Sequence, residues 1–175
     1  MTAADTPSSA TPDELRTTVC PGCGAVLVAT PDAAGRHPGA SPSCWALFSV
    51  TVRGLRDEAG QDARTAALLQ LARDTYDAQH LLPGAPASAA VRLCLALERG
   101  HEPLAAAAPP ERVDAAAPQG LQPPARWTTT VADLAADLDV VDLPALVGAW
   151  ADVTWADWAA SADELRRAAD VVLTS

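Results

Sequence analysis

The chain has 175 residues, 49% of them hydrophobic, so it is long enough to bury the core of one domain. It is an acidic protein with a formal net charge of -10, which repels phosphate backbones and anionic membranes and argues against both as partners. The N-terminal sequence lacks the basic start and apolar stretch of a secretory signal. We therefore expect a cytoplasmic protein whose cysteines stay reduced.

The first part of the chain predicts a tail followed by a compact loop. Residues 1–16 are small, polar and interrupted by proline, which predicts a disordered N-terminal tail. Residues 17–175 are predicted to form a single helical domain. It opens with a knuckle over 17–44, which contains a Cys-x-x-C turn, the strand-like stretch "AVLVAT" and a Pro-Gly turn.

Three helices are predicted next. Ser41 and Pro42 form a good N-cap and first-position pair, so a first helix begins there and runs to about Ala59. A second helix is predicted over 61–80 and a third over 86–99. The third is apolar over so much of its circumference that it should lie at the centre of a bundle.

The rest of the chain predicts a loop and a second group of helices. Proline and alanine dominate residues 102–126, a composition typical of an extended linker or a long surface loop. A short helix is predicted after Thr130, a longer one over 143–159 and a last one from about Ser161. The predicted fold is therefore an all-α helical bundle with an N-terminal zinc-knuckle loop.

The cysteines of the knuckle indicate a metal site. Cys20 and Cys23 flank a Pro-Gly turn, and such a short loop directs both sulfurs at one point. Zinc prefers four tetrahedral ligands from cysteine and histidine, so two more are needed. Cys44 lies in the first turn of the first predicted helix, where the helix dipole favours a thiolate, and we predict it as the third ligand.

The fourth ligand follows from helix geometry. If helices 42–59 and 61–80 form an antiparallel hairpin, His80 emerges at the same end as Cys44, about 6 Å further along the axis. His37, next to a Pro-Gly turn, is the alternative ligand, and we favour His80. A metal-bound histidine also needs a partner for its second nitrogen.

Several blocks of this sequence carry a resemblance to known proteins. The motifs are "CPGCGAVL", "GASPSCWALF", "DTYDAQH" and a late "WADVTWADW". Together they resemble an uncharacterised bacterial family, a domain of unknown function, with the patterns C-P-x-C-G, S-P-x-C-W and D-x-Y-x-x-Q-H. The resemblance implies a small metal-binding protein without an activity that can be named. It also implies that the metal ligands are Cys20, Cys23, Cys44 and His80.

Two classes of function are compatible with these residues. In the first, a structural zinc holds the N-terminal loop on the helices, and the bundle is a binding module for a protein or a small apolar ligand. In the second, a zinc-dependent, hydrolase-like enzyme keeps a water in an open coordination position, with Asp74, Asp77 or His37 as general base. The side chains predicted to support the ligand imidazole are Asp74 and Gln79. The predicted ligand pocket is lined by Trp127, Trp150, Trp155 and Trp158.

Overall fold

The computed structural model describes residues 16–30, 36–100 and 109–174, which are mostly helical and confirm the predicted all-α fold. Apart from Arg16, the predicted N-terminal tail lies outside the described residues. None of the described helices is both long and apolar enough to cross a bilayer. The elements in chain order are β1 (Thr17–Val19), β2 (Val26–Val28), α1 (Pro42–Thr51), α2 (Arg53–Glu58), α3 (Ala63–Gln79), α4 (Ser88–Arg99), α5 (Pro110–Ala116), α6 (Val131–Asp137), α7 (Leu143–Asp157), a 3-10 turn (Trp158–Ser161) and α8 (Ala162–Thr174).

The two strands form a small antiparallel hairpin around the Cys-x-x-C turn. Thr17 pairs with Val28 and Val19 with Val26, so the side chains of these four residues share one face of the hairpin. That face points to solvent, because the three valines are 52–64% exposed. Leu27 lies on the other face and packs against the core. The hairpin therefore has a buried side and an exposed aliphatic side.

The first predicted helix is two helices rather than one. Thr51 donates a hydrogen bond from its hydroxyl to the carbonyl of Leu47 at 2.9 Å, a contact that competes with the helical hydrogen bonds and bends helices. Val52 follows with φ -94° and ψ 12°, which is outside the helical region, and α2 starts at the next residue. The chain thus turns before it reaches α3.

The centre of the bundle is built from α3, α4 and α7. Asp62 caps α3 by accepting a hydrogen bond from the Thr65 N–H, and α4 packs against α3, with Arg92 of α4 2.6 Å from Asp74 of α3. Val91, Leu93 and Leu95 of α4 are 0–1% exposed, so this helix is central, as its composition predicts. The other helices pack around this core and leave the hairpin at the end where α3 finishes.

Part of the predicted proline-rich loop is ordered. The structure places α5 over Pro110–Ala116, with Pro110 at its first position, where a missing N–H costs no hydrogen bond. Val113 of this helix is completely buried. Beyond α5, the Ala87 N–H donates to the Pro118 carbonyl at 2.9 Å and so fixes the segment to the start of α4. The prediction of a linker or surface loop over 102–126 is therefore wrong for Pro110–Ala116, whereas the described residues 117–126 contain no helix.

Candidate metal centre

Four predicted ligands meet in one place beneath the hairpin. The side chains of Cys20, Cys23, Cys44 and His80 are all buried, and their ligand atoms lie within 4.8 Å of one another. Their exposed fractions are 1%, 4%, 0% and 1%. These residues come from the hairpin, the start of α1 and the end of α3, so the cluster joins three separate parts of the chain. It can hold a metal ion.

The spacing of the ligand atoms matches a tetrahedral ion. The Sγ atoms of Cys23 and Cys44 are 3.7 Å apart, and the Nε2 atom of His80 lies 3.3 Å from Cys20 Sγ and 3.5 Å from Cys44 Sγ. Zinc–sulfur bonds of about 2.3 Å and zinc–nitrogen bonds of about 2.0 Å at tetrahedral angles require separations of about 3.8 Å and about 3.5 Å. The cluster therefore needs little rearrangement to close around one cation.

The local fold places the sulfurs before any ion binds. The Cys20 N–H donates to the Ala25 carbonyl and the Gly24 N–H donates to the Cys20 carbonyl, both at 2.9 Å, which closes the turn. Gly24 has φ +77°, a left-handed conformation that glycine adopts without strain. Ser41 caps α1 by accepting from the Cys44 N–H, and its own N–H donates to Cys20 Sγ at 3.4 Å. The cap of α1 thus contacts the hairpin sulfur directly.

His80 is oriented by a backbone carbonyl of its own helix. Its Nδ1–H donates to the Tyr76 carbonyl at 2.6 Å, so its Nε2 lone pair is free and faces the sulfurs. The Tyr76 hydroxyl donates to Cys44 Sγ at 3.5 Å, and its ring stacks on the His80 ring with centroids 4.0 Å apart. Tyr76 therefore supports two ligands at once. Only its position four residues before a helix-terminal histidine could have indicated this role from the sequence.

The two side chains predicted to support the imidazole have other partners. Asp74 accepts hydrogen bonds from Arg92 of α4 at 2.6 Å and from Gln70 at 3.2 Å. Burial raises the pKa of the Asp74 carboxyl, and the Arg92 guanidinium opposes that rise. Gln79 donates to the Thr129 carbonyl at 2.7 Å and to the Thr154 hydroxyl at 3.1 Å. The prediction for Asp74 and Gln79 is therefore wrong, because the Tyr76 carbonyl already occupies the nitrogen they were expected to hold.

Removal of Arg92 tests whether Asp74 acts on the fold or on the metal. We expect Arg92→Met to lower the free energy of unfolding by roughly 2 kcal/mol, since it leaves a buried carboxylate without its partner. The metal content of the purified protein should not change. Urea unfolding and metal analysis measure the two quantities. A loss of metal at an unchanged free energy of unfolding would show that Asp74 supports the metal site after all.

His37 lies beside the cluster but faces away from it. Its ring centroid is 5.5 Å from that of His80, yet its Nδ1 accepts a hydrogen bond from the Gly39 N–H at 3.2 Å. A neutral imidazole then carries its proton on Nε2, and this nitrogen faces the Asp77 carboxylate at 3.3 Å. Neither nitrogen of His37 has a free lone pair for a metal ion in this arrangement. The geometry thus favours His80 over His37 as the histidine of the site.

Two glycines let the hairpin and the following loop approach His80. A Cβ atom added at Gly22 would lie 2.5 Å from His80 Cδ2 and 2.7 Å from the Gly39 carbonyl oxygen. A Cβ atom at Gly39 would overlap the backbone carbonyl of His80. Both positions therefore require glycine for close packing around the ligand imidazole, a need that appears only once the segments are docked.

The thiols share protons in the absence of a cation. The pKa of the Cys20 thiol is well below its ordinary value, because the Cys23 and Cys44 thiols donate hydrogen bonds to its thiolate. The same contacts raise the pKa of Cys23 to about 11 and that of Cys44 further. Three thiolates cannot be buried together without compensation. A divalent cation supplies the positive charge that lets all three ionise.

The predicted tryptophan pocket is mostly core. Trp150 and Trp158 are each 1% exposed, so they cannot line an open groove. Trp155 is half-buried and donates its indole N–H to Glu98 at 3.2 Å. Trp127 is half-buried too, and it donates to the Gly22 carbonyl at 3.1 Å, which ties the Cys-x-x-C turn to the C-terminal half of the chain. The pocket prediction is therefore wrong for Trp150 and Trp158. Their helical spacing is as typical of core residues as of residues that line a groove.

Comparison with known proteins gives one match. Residues 18–159 match a family of unknown function, DUF5946, and this range includes all four residues of the cluster. No curated protein and no solved structure matches the chain. The matched range confirms the resemblance to an uncharacterised family that the sequence motifs carry.

Proposed function

The chain belongs to DUF5946, a family of unknown function, and from its own chemistry we propose that it binds a structural zinc ion. The observation that carries this proposal is the convergence of three sulfurs and one imidazole nitrogen within 4.8 Å. A tetrahedral set of cysteine and histidine donors suits zinc, whereas magnesium and calcium prefer oxygen. The ion would bind Cys20, Cys23, Cys44 and His80.

The donor set supports a structural role over a catalytic one. Four protein donors complete a tetrahedral shell, so no position remains for the water that a zinc hydrolase activates. All four ligand side chains are also buried, which leaves a substrate no direct approach to the ion. The hydrolase-like alternative requires one of these four residues to leave the ion.

With the ion in this role, the protein acts by binding. The ligands Cys20 and Cys23 hold the hairpin against α1 and α3, and the hairpin presents Val19, Val26 and Val28 to solvent. An exposed aliphatic face of this kind suits contact with an apolar surface on another protein. The same ion that stabilises the fold therefore fixes the shape of the face.

X-ray absorption at the zinc edge of the purified protein tests the proposal. We expect one zinc per chain with three sulfur neighbours at about 2.3 Å and one nitrogen at about 2.0 Å. A shell with fewer protein donors and an oxygen neighbour would favour the hydrolase-like alternative. A protein that holds no zinc after purification and after reconstitution would contradict both functions.

Zinc binding should also release a defined number of protons. The contacts among the three thiols lower the pKa of Cys20 and raise the pKa values of Cys23 and Cys44, so we expect zinc to displace its protons from Cys23 and Cys44. Binding then displaces two protons, and the apparent affinity rises by about 100-fold per pH unit between about pH 6 and 8. Calorimetric titration in buffers of different ionisation enthalpy counts the protons. Release of three would show that Cys20 is also a thiol in the apoprotein.

A further inference from the structure

We infer that His37 and Asp77 form a latch that controls how fast a metal ion enters and leaves the buried site; this inference depends on the proposed zinc binding. An ion cannot reach the cluster without movement of the protein, because every ligand side chain is at most 4% exposed. Some segment next to the cluster must therefore open for exchange. The contacts around His80 identify which one.

Residues 36–40, called here the closing segment, cover the imidazole of His80. Gly39 of this segment packs directly on the His80 backbone, and the His37 ring meets the edge of the His80 ring. The other side of the His37 ring reaches the surface, where the side chain is 17% exposed. The closing segment is thus the layer between the ligand and solvent on this side.

A single polar contact fastens the closing segment to α3. The His37 Nε2 atom lies 3.3 Å from the Asp77 carboxylate, and Asp77 is 40% exposed. No other side-chain hydrogen bond or ion pair joins these two elements in the part of the chain that the structure describes. Local opening of a protein must break every contact that holds the moving segment, so loss of this pair should speed opening while the packing of Gly39 and of the His37 ring still opposes it.

The aromatic neighbours of His37 show that its ring packs over the site and is not itself a metal ligand. Its ring stacks on Trp45 with centroids 6.0 Å apart and meets Tyr76 edge-on at 5.5 Å. Neither contact involves a metal ligand atom, and the Nδ1 atom of His37 is held by the Gly39 N–H. Loss of the His37–Asp77 contact should therefore free the segment while leaving the four ligands in place.

The prediction is a change in exchange rates at nearly constant affinity. In Asp77→Ala and in His37→Ala we expect zinc association and release both to accelerate about threefold, the factor for one lost, partly exposed polar pair. The dissociation constant should change by less than about 1.5-fold, because opening affects both directions equally. Asp77→Ala keeps the His37 ring and its packing, so it separates the latch from any general loss of stability in His37→Ala.

Stopped-flow mixing measures both rates on the full chain. Apoprotein mixed with Co²⁺ gives the association rate from the sulfur-to-cobalt absorption, and zinc protein mixed with excess colorimetric chelator gives the release rate. Asp170→Ala is the matched control, since it removes an exposed carboxylate that pairs with Arg99 at 3.0 Å, away from the cluster. Its rates should equal those of the wild type.

The outcomes separate this inference from the proposed function. Rates in Asp77→Ala equal to those of Asp170→Ala, in a protein that still binds one zinc, would overturn the latch alone. Faster release without faster association would also overturn it, since His37 and Asp77 would then support affinity. A wild-type protein that binds neither Co²⁺ nor zinc would overturn the proposed function and the latch together.

Discussion

Cys44→Ser should abolish stoichiometric zinc binding and lower the melting temperature by roughly 10 °C. Cys44 Sγ contacts both Cys23 and His80 and lies at the most buried corner of the cluster, so no water can replace the lost thiolate cheaply. The ion holds residues 60 positions apart, as a disulfide would, and loss of such a cross-link costs about 4 kcal/mol, or roughly 10 °C for a domain of this size.

The fourth cysteine provides the control for this experiment. Cys94 is buried in α4 and belongs to no group of metal-ligating side chains among the described residues. Cys94→Ala should keep one zinc per chain and lose only about 1 kcal/mol of packing. Metal analysis and thermal unfolding of the two variants decide the matter. A Cys44→Ser protein with full zinc content and a wild-type melt would show that the cluster is not the metal site.

Gly39→Ala should destabilise the protein by about 3 kcal/mol or more and weaken zinc binding, although residue 39 carries no ligand. The new methyl group would overlap the His80 carbonyl, which is backbone and cannot rotate away. Relief of the clash must move either the closing segment or the ligand histidine. Urea unfolding of the zinc protein and competition with a chelator measure the two effects.

Gly54→Ala is the matched control for this substitution. Gly54 lies in α2, and a Cβ atom added there meets nothing within 4 Å. Alanine favours a helix over glycine by up to about 1 kcal/mol, so this variant should be as stable as the wild type or slightly more so. Equal stability of the two alanine variants would mean that the closing segment does not pack on His80 as described.

The ligand positions were open to sequence reasoning because local rules fix most of them. The Cys-x-x-C spacing makes a turn, the Ser41–Pro42 cap puts Cys44 in the first turn of α1, and the helical chain from Pro42 to Gln79 returns His80 to Cys44. The contacts that orient the ligand side chains could not be predicted from the sequence by such local rules. His80 is oriented by the carbonyl of Tyr76, and every residue has a carbonyl, so no side-chain type marks that role.

The other differences come from tertiary packing. Helical spacing puts Trp150 and Trp158 on one face of the chain, but only the position of α3 decides whether that face is core or groove. Proline content predicted an extended linker or surface loop over 102–126, yet burial of Val113 against the bundle stabilises a two-turn helix over Pro110–Ala116. The exclusion of His37 depends on a backbone N–H in the closing segment, which sequence spacing does not position.

The valine face of the hairpin has a consequence for how the protein depends on metal supply. A hairpin of two three-residue strands is only marginally stable in water, so without the ion it opens more often and each opening uncovers Leu27, which otherwise packs against the core. The open hairpin would then expose apolar side chains on both of its faces, the valines on one and Leu27 on the other, and such a state is prone to self-association and to proteolysis. A shortage of zinc would thus deplete the protein through aggregation and degradation.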